Sequence, residues 1–169
     1  QYQDQYHYIW ERPFAVIPSF DGGYLISGVT SGEYNKDRSI INRTNDGNYI
    51  LATTTNNALL LKLSSNGSFE WDYEYVADQY DTNDIWVLKL NPQGDILWQK
   101  TYGNWGYEMA RAIQQTTDGG FIIAAKIGPF EEIGESQGDA WVIKLDKNGN
   151  IEWEYTYGGT YNDKITHIQ

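Results

Sequence analysis

The sequence predicts an all-β fold of four-stranded antiparallel blades, a β-propeller or a fragment of one, with a repeat of about 55 residues. Three observations predict it. WVIKLDKNGNIEWEYTYGG at 141–159 restates WVLKLNPQGDILWQKTYGN at 86–104. Asp-Gly and Asn-Gly pairs fall between short apolar runs, where tight hairpins need residues that tolerate positive φ. Aromatic residues make up 15% of the chain, with 7 Trp and 14 Tyr, as in packed β proteins whose large rings are core and platform at once.

Each element follows from the period. Lys89-Leu90 and Lys144-Leu145 lie 55 residues apart, as do Gly94 and Gly149, Trp98 and Trp153, Tyr102 and Tyr157, and Ile113 and Ile168. Within one period, ARAIQQTT (110–117) is the first strand, and the turn Asp118-Gly119-Gly120 leads into the mostly buried run FIIAAKI (121–127). AWVIKLD (140–146) is the third strand; after Lys147-Asn148-Gly149, NIEWEYTYG (150–158) alternates apolar and polar positions. Residues 14–28 and 40–53 match the first two strands, turning at Asp21-Gly22-Gly23 and Asp46-Gly47, and 59–75 match the last two, with Lys62, Gly67 and Trp71 in place.

The period breaks twice. Only 25 residues separate Asp21 from Asp46, with no Lys-Leu strand between them, and only 15 separate Trp71 from Trp86, with no Asp-Gly strand pair. Half a blade is missing at each place. The expectation drawn here is a single, incomplete domain over 1–169 that belongs to a longer protein, with further segments joining near 30–36 and 72–82. The alternative is loss of half-blades. The chain opens on what reads as a fourth strand (QYHYIW) and ends on a first strand (NDKITHIQ).

Composition bounds the function. At 169 residues the chain holds one domain with a real core. Twelve basic against 23 acidic residues give a formal charge of −11, which argues against a nucleic-acid partner, whose phosphates need a basic footprint, and disfavours an anionic membrane surface. There is no cysteine, so disulfides and thiolate chemistry are excluded. No apolar run approaches the roughly 20 residues that span a bilayer, and membrane insertion is not expected. The opening QYQDQYHYIW lacks the basic end and apolar stretch of a signal peptide.

DGGYLISG and DGGFIIAA, followed by WVxKLxxxGxxxWxxxYG and an Ala-x-x-Ile-Gln strand, resemble the repeats of secreted or surface-anchored propeller-like proteins of bacteria and archaea. The resemblance covers most of the chain and implies a β-propeller in an extracellular or cell-surface setting, without implying catalytic residues. A second resemblance, to quinoprotein propellers, rests on a Gly a few residues before a Trp in an outer strand. The chain departs from it, with Lys-Leu-Asp/Asn/Ser where those repeats carry Ala-x-Asp-x-x-Thr-Gly.

Candidate residues divide by blade position. Trp71, Trp98 and Trp153, with Gly67, Gly94 and Gly149, recur at one place each and read as structural: the Gly turns a hairpin and the Trp fills the gap between sheets. Trp86 and Trp141 recur as core. The loops opposite the tight turns vary, so recognition is expected there. That face carries Trp105, whose counterpart is Thr160, with Tyr107 and Glu108, then Phe130, Glu131, Glu132, Glu135 and Asp139, then Tyr161 and Asp163. Rings beside carboxylates suit a sugar, stacking on its apolar face while accepting its hydroxyl hydrogens; a solvated acidic loop explains the same residues.

Asp78, Asp81, Asn83 and Asp84 gather oxygen donors of the kind calcium takes, although their spacing is not that of an EF-hand loop. No other cofactor is expected. Motifs for a serine hydrolase, a phosphate loop and a zinc protease are absent, and His7 and His167 lie in predicted strands. Asn42-Arg43-Thr44 and Asn66-Gly67-Ser68 match the glycosylation pattern. The functional expectation is a non-catalytic extracellular or cell-surface propeller that binds a glycan or a protein, its ring completed by an oligomer or by a longer chain. The alternatives are a carbohydrate-active hydrolase or lyase, a quinone-dependent oxidoreductase, and a subunit of a larger surface assembly.

Overall fold

The computed structural model describes residues 11–30, 39–54, 57–76, 84–103, 106–128, 138–159, 163 and 165. They form twelve strands: β1 (Glu11–Pro18), β2 (Tyr24–Thr30), β3 (Ser39–Arg43), β4 (Tyr49–Thr53), β5 (Asn57–Leu63), β6 (Phe69–Val76), β7 (Ile85–Leu90), β8 (Ile96–Tyr102), β9 (Tyr107–Gln115), β10 (Phe121–Gly128), β11 (Asp139–Leu145) and β12 (Ile151–Tyr157). The fold is all-β, with no helix among the described residues.

Three four-stranded antiparallel sheets result, ordered β1-β2-β5-β6 (sheet A), β3-β4-β7-β8 (sheet B) and β9-β10-β11-β12 (sheet C). Only sheet C follows the chain. In A and B the hairpins interleave, so that 59–75 pair with the first hairpin of the chain and not with the 40–53 segment that precedes them in the sequence pattern. Tyr24 lies opposite Leu63, and Tyr49 opposite Leu90. The two hairpins that the period leaves without partners, 14–28 and 86–102, are thus completed by 59–75 and by 40–53. The segments 31–36 and 77–82, where joins were expected, lie outside the described residues, while 72–76 form the end of β6.

Six tight turns share one geometry. In each, the N–H of the first residue (Ser19, Thr44, Ser64, Asn91, Thr116 or Asp146) donates to the carbonyl four residues on, and the Gly three residues on donates back to that residue's carbonyl. Those glycines hold φ between 77° and 91°, a region that costs any residue with a Cβ. Beside each outer turn the register shifts at Lys62/Leu63, Lys89/Leu90 or Lys144/Leu145, a bulge that turns the outer strand relative to its neighbour.

The sheets stack in the order A, B, C, with β3 lying against β1 on one side and β9 on the other. Sheet B is the filling, and its strands show it. Every residue of β4 and β7 is buried, the pattern of strands covered on both faces. Between A and B, Leu25, Leu60 and Tyr75 meet Ile41, Tyr49, Trp86 and Leu88. Between B and C, Ile50, Val87 and Tyr102 meet Ile113, Phe121, Trp141 and Ile143. Each fully buried Leu or Ile contributes about 1.5–3 kcal/mol by leaving water, so the two seams hold the stack together. Polar links add direction: Phe20 N–H donates to the Tyr49 hydroxyl across the first seam, and Asn42 Nδ2 donates to the Ile113 carbonyl across the second.

The interleaving is open to a direct test through the lysine of each third strand. Lys62 sits 2.9 Å from Asp21, and Lys89 pairs with Asp46. Double-mutant cycles should therefore show coupling of about 0.5–1 kcal/mol between Asp21→Asn and Lys62→Met, and none between Asp46→Asn and Lys62→Met. Chemical unfolding of the single and double variants measures both, and coupling of Lys62 to Asp46 would return 59–75 to the side of the 40–53 segment.

Candidate functional site

The tight turns lie on one face of the stack, and a repeated ionic seat occupies it. Lys62, Lys89 and Lys144 are buried by the sheets they belong to, and an ammonium placed there needs counter-charges. Lys62 reaches Asp21 and Glu70 at 2.9 and 2.7 Å; Lys144 reaches Asp118 and Glu152, both at 2.9 Å. Lys62 and Lys144 also donate to the carbonyls of Leu63 and Leu145. Burial alone would release their protons, but the hydrogen bonds from the ammonium to the paired carboxylates outweigh it and hold both lysines above the ordinary range.

The aspartates respond in the opposite sense. The Ser19 hydroxyl, then Lys62 and the Gly23 N–H, hold Asp21 well below the usual carboxylate range, and Thr116, Lys144 and Gly120 do the same for Asp118. Asp46 is more enclosed; burial pushes it up, and the bonds from Lys89, Thr44 and Asn48 prevail, bringing it down to about 2. Every one of these shifts comes from a partner within the same sheet. The groups act as clasps between the inner and outer hairpins.

Two recesses open on this face, one at each seam. A cleft of about 490 Å³ between B and C is lined by Asp46, Lys89, Trp98, Gln115 and Lys147 among others. A second, of about 550 Å³, lies between A and B beside Phe20, Asn42 and Arg43. In the first, Asp46 and Lys89 are already paired with each other, and in the second Arg43 covers the Phe20 ring at 5.1 Å.

The strand ends opposite the tight turns adjoin the residues expected to recognise a ligand. Trp105, Phe130, Glu131, Glu132, Glu135 and Tyr161 lie outside the described residues, as do Asp78, Asp81 and Asn83. Tyr107 opens β9 half-buried, and Glu108 beside it is fully buried. Asp163 ties the loop after β12 down: its carboxylate accepts from the Gly159 N–H at 3.1 Å, and its own N–H donates to the Gly138 carbonyl at 2.9 Å.

Asp84 has a counterpart that the period identifies. A Cβ on Gly103 would come within 2.0 Å of the Asp84 carboxylate, and one on Gly158 within 1.9 Å of that of Asp139. The pairs lie one period apart, which makes a carboxylate seated on a glycine a recurring piece of the sheet architecture. Among the described residues no three His, Cys, Asp or Glu converge as a metal site. Of the two glycosylation triplets, Asn42 has its amide engaged in the B–C seam, while Asn66 is exposed and accepts from Ser64 and Ser68 within its turn.

The six residues placed as structural fall at the seams or at the two ends of the stack. Trp98 meets Phe121 edge-on at 5.8 Å, and Trp71 packs on the A–B cluster. Gly94 and Gly149 lie under aromatic rings of the preceding sheet, whereas Gly67 has nothing within 4 Å and Trp153 is 39% exposed. The residues that sequence reasoning missed are the tyrosines. Tyr75 and Tyr102 each donate a 2.7 Å hydrogen bond to the carbonyl of Gly94 or Gly149 in the next sheet, and their burial raises both phenols well above the ordinary range. The signal was the Tyr four residues after each Trp.

No family model matches the chain, and no curated protein does. Among solved structures it is similar to a protein of unknown function from Bacteroides caccae, at 14% identity and a TM-score of 0.43, over 90% of this chain and 70% of that one.

The clasps predict an acid-side dependence. Asp46 sits at about 2 when folded against an ordinary 3.8, so its contribution is present above pH 4 and is lost as pH falls toward 2. Asp46→Asn should lower the melting temperature at pH 6, and the gap to the unsubstituted protein should close as pH approaches 2. Thermal melts across that range read it; a gap that stays constant with pH would disconnect Asp46 from the clasp.

Proposed function

We propose that sheets A, B and C are successive blades of a β-propeller, with β1, β3 and β9 toward the axis and β6, β8 and β12 at the rim. The observation that carries this is the repeated seam, in which β6 seats Tyr73 and Tyr75, and β8 seats Trp98 and Tyr102, on the Gly turn of the next sheet while inner strands lie side by side. A sheet series that uses one seam repeatedly is the construction by which propellers limit exposed edges.

The function that accompanies this scaffold is a non-catalytic recognition or structural module outside the cell or on its surface, meeting a glycan or a protein through the loop face. Two features support it. The strongly shifted carboxylates are all consumed by clasps on the turn face, so none of them stands ready as an acid or base. The variable loops concentrate rings and acids, Trp105, Tyr107, Phe130, Glu131 and Glu132 among them, in the combination that stacks on a pyranose and accepts its hydroxyl hydrogens.

A glycan array followed by calorimetric titration of the strongest glycan tests the reading. Trp105→Ala should weaken that binding about tenfold or more, as loss of a stacked ring does, and Glu131→Gln with Glu132→Gln should weaken it further. Unchanged affinity in both variants removes the loop face as the site, and release of new reducing ends from the glycan would make the protein a carbohydrate-active enzyme instead.

A further inference from the structure

Both ends of the stack are built like the seams inside it. We propose that the free face of sheet C seats on the free face of sheet A in a second copy of the chain, and that two copies close one ring of six sheets.

The donating face of C repeats the donating face of A. Trp153, Tyr155 and Tyr157 stand in the order of Trp71, Tyr73 and Tyr75, and their rings form the same ladder, with centroids 5.6 and 6.3 Å apart against 5.1 and 6.1 Å. In the A–B seam the lower rungs of that ladder cover Gly94, and the last hydroxyl bonds its carbonyl. On sheet C all three rings are exposed, Tyr155 by 58% and Tyr157 by 56%.

The receiving face of A repeats the receiving faces of B and C. Gly67 is the third member of the series Gly94 and Gly149; a Cβ on Gly94 would stand 2.7 Å from the Tyr73 ring, and one on Gly149 3.0 Å from the Trp98 ring, but around Gly67 there is open space. Tyr24 holds the place of Tyr49 and Phe121, which are 2% and 0% exposed, and is itself 43% exposed. Leu59 and Leu61 are half-buried where Trp86, Leu88, Trp141 and Ile143 are fully covered.

Donor and acceptor occupy opposite ends of one molecule, so the contact between copies is head-to-tail and must either close or propagate. Two copies of the three described sheets make six, within the four to eight of known rings. The inference rests on the propeller reading but not on the loop-face ligand: a chain that stays monomeric overturns the two-copy ring and leaves the glycan titration standing.

Sedimentation equilibrium of the purified chain over a range of concentrations is the test. The expected species is about twice the 19.4 kDa of one chain. Gly67→Ala should abolish it by placing a Cβ under the incoming Tyr155 ring, and Tyr157→Phe should weaken it about tenfold at each seam for one lost hydrogen bond. Gly22→Ala is the control: Gly22 shares the backbone conformation of Gly67, yet its counterparts Gly47 and Gly119 stay open even where a seam is filled. It should carry the same backbone cost and keep the dimer. A monomer at every concentration, equal behaviour of Gly67→Ala and Gly22→Ala, or growth beyond two copies would each overturn the proposal.

Discussion

The stack depends on a contact between a ring and a turn that has no side chain. Tyr75 and Tyr102 each reach the carbonyl of a glycine in the neighbouring sheet, and a ring of the same strand lies so close that a Cβ on Gly94 would collide with it and one on Gly149 would crowd it. Two requirements meet at that glycine. Its own hairpin needs positive φ, and the adjacent strand needs its surface flat. Because the outer turn of one sheet is the seat for the outer strand of the one before, the spacing between sheets is fixed at the rim as well as along the inner strands. The apolar seams then fill the volume between, with β4 and β7 buried from both sides.

Given that seat, the order in which the chain supplies its hairpins matters little. Sheets A and B have the strand order, turns, lysine clasp and aromatic rows expected of consecutive blades, yet their halves alternate along the chain. A hairpin is the unit that the local sequence specifies, through its Gly turn and its two-residue alternation. Which hairpin becomes its neighbour is specified by faces: Lys62 finds Asp21 and Lys89 finds Asp46 across long stretches of sequence. The long-range pairing has a kinetic consequence, because loop closure between distant hairpins precedes the contacts that reward it.

The strands, the turns and the repeated Trp and Gly positions were legible because they follow local rules, a period of two and a need for positive φ. The four-strand unit was legible too, since one full copy lies uninterrupted in 110–158. Partner choice was not. The broken period between Asp21 and Asp46 reads as missing chain or as lost half-blades, and interleaving is not visible in it, since nothing in a strand's own residues says which sheet it joins. The lysine clasps escaped for a related reason: Lys-Leu was visible as a repeat, but the aspartates that pair with it sit in another hairpin. Glu108, read as a loop-face acid, is buried at the start of β9, where adjacency to Tyr107 in sequence says nothing about depth.

Placement of the clasps also shapes where recognition can reside. On the turn face, Asp21, Asp46 and Asp118 spend their charge on lysines that hold hairpins together, and changing any of them disturbs the sheet. That face is constrained by folding. The loops on the other side are tied at their bases, by Asp163 to Gly138 and Gly159 and by the carboxylates seated on Gly103 and Gly158, while their residues differ from one repeat to the next. A scaffold that fixes the bases of its loops and leaves their sequences free separates stability from specificity. The two end faces obey neither rule, being fixed in sequence like a seam and exposed like a surface, and that combination is what a second copy of the chain resolves.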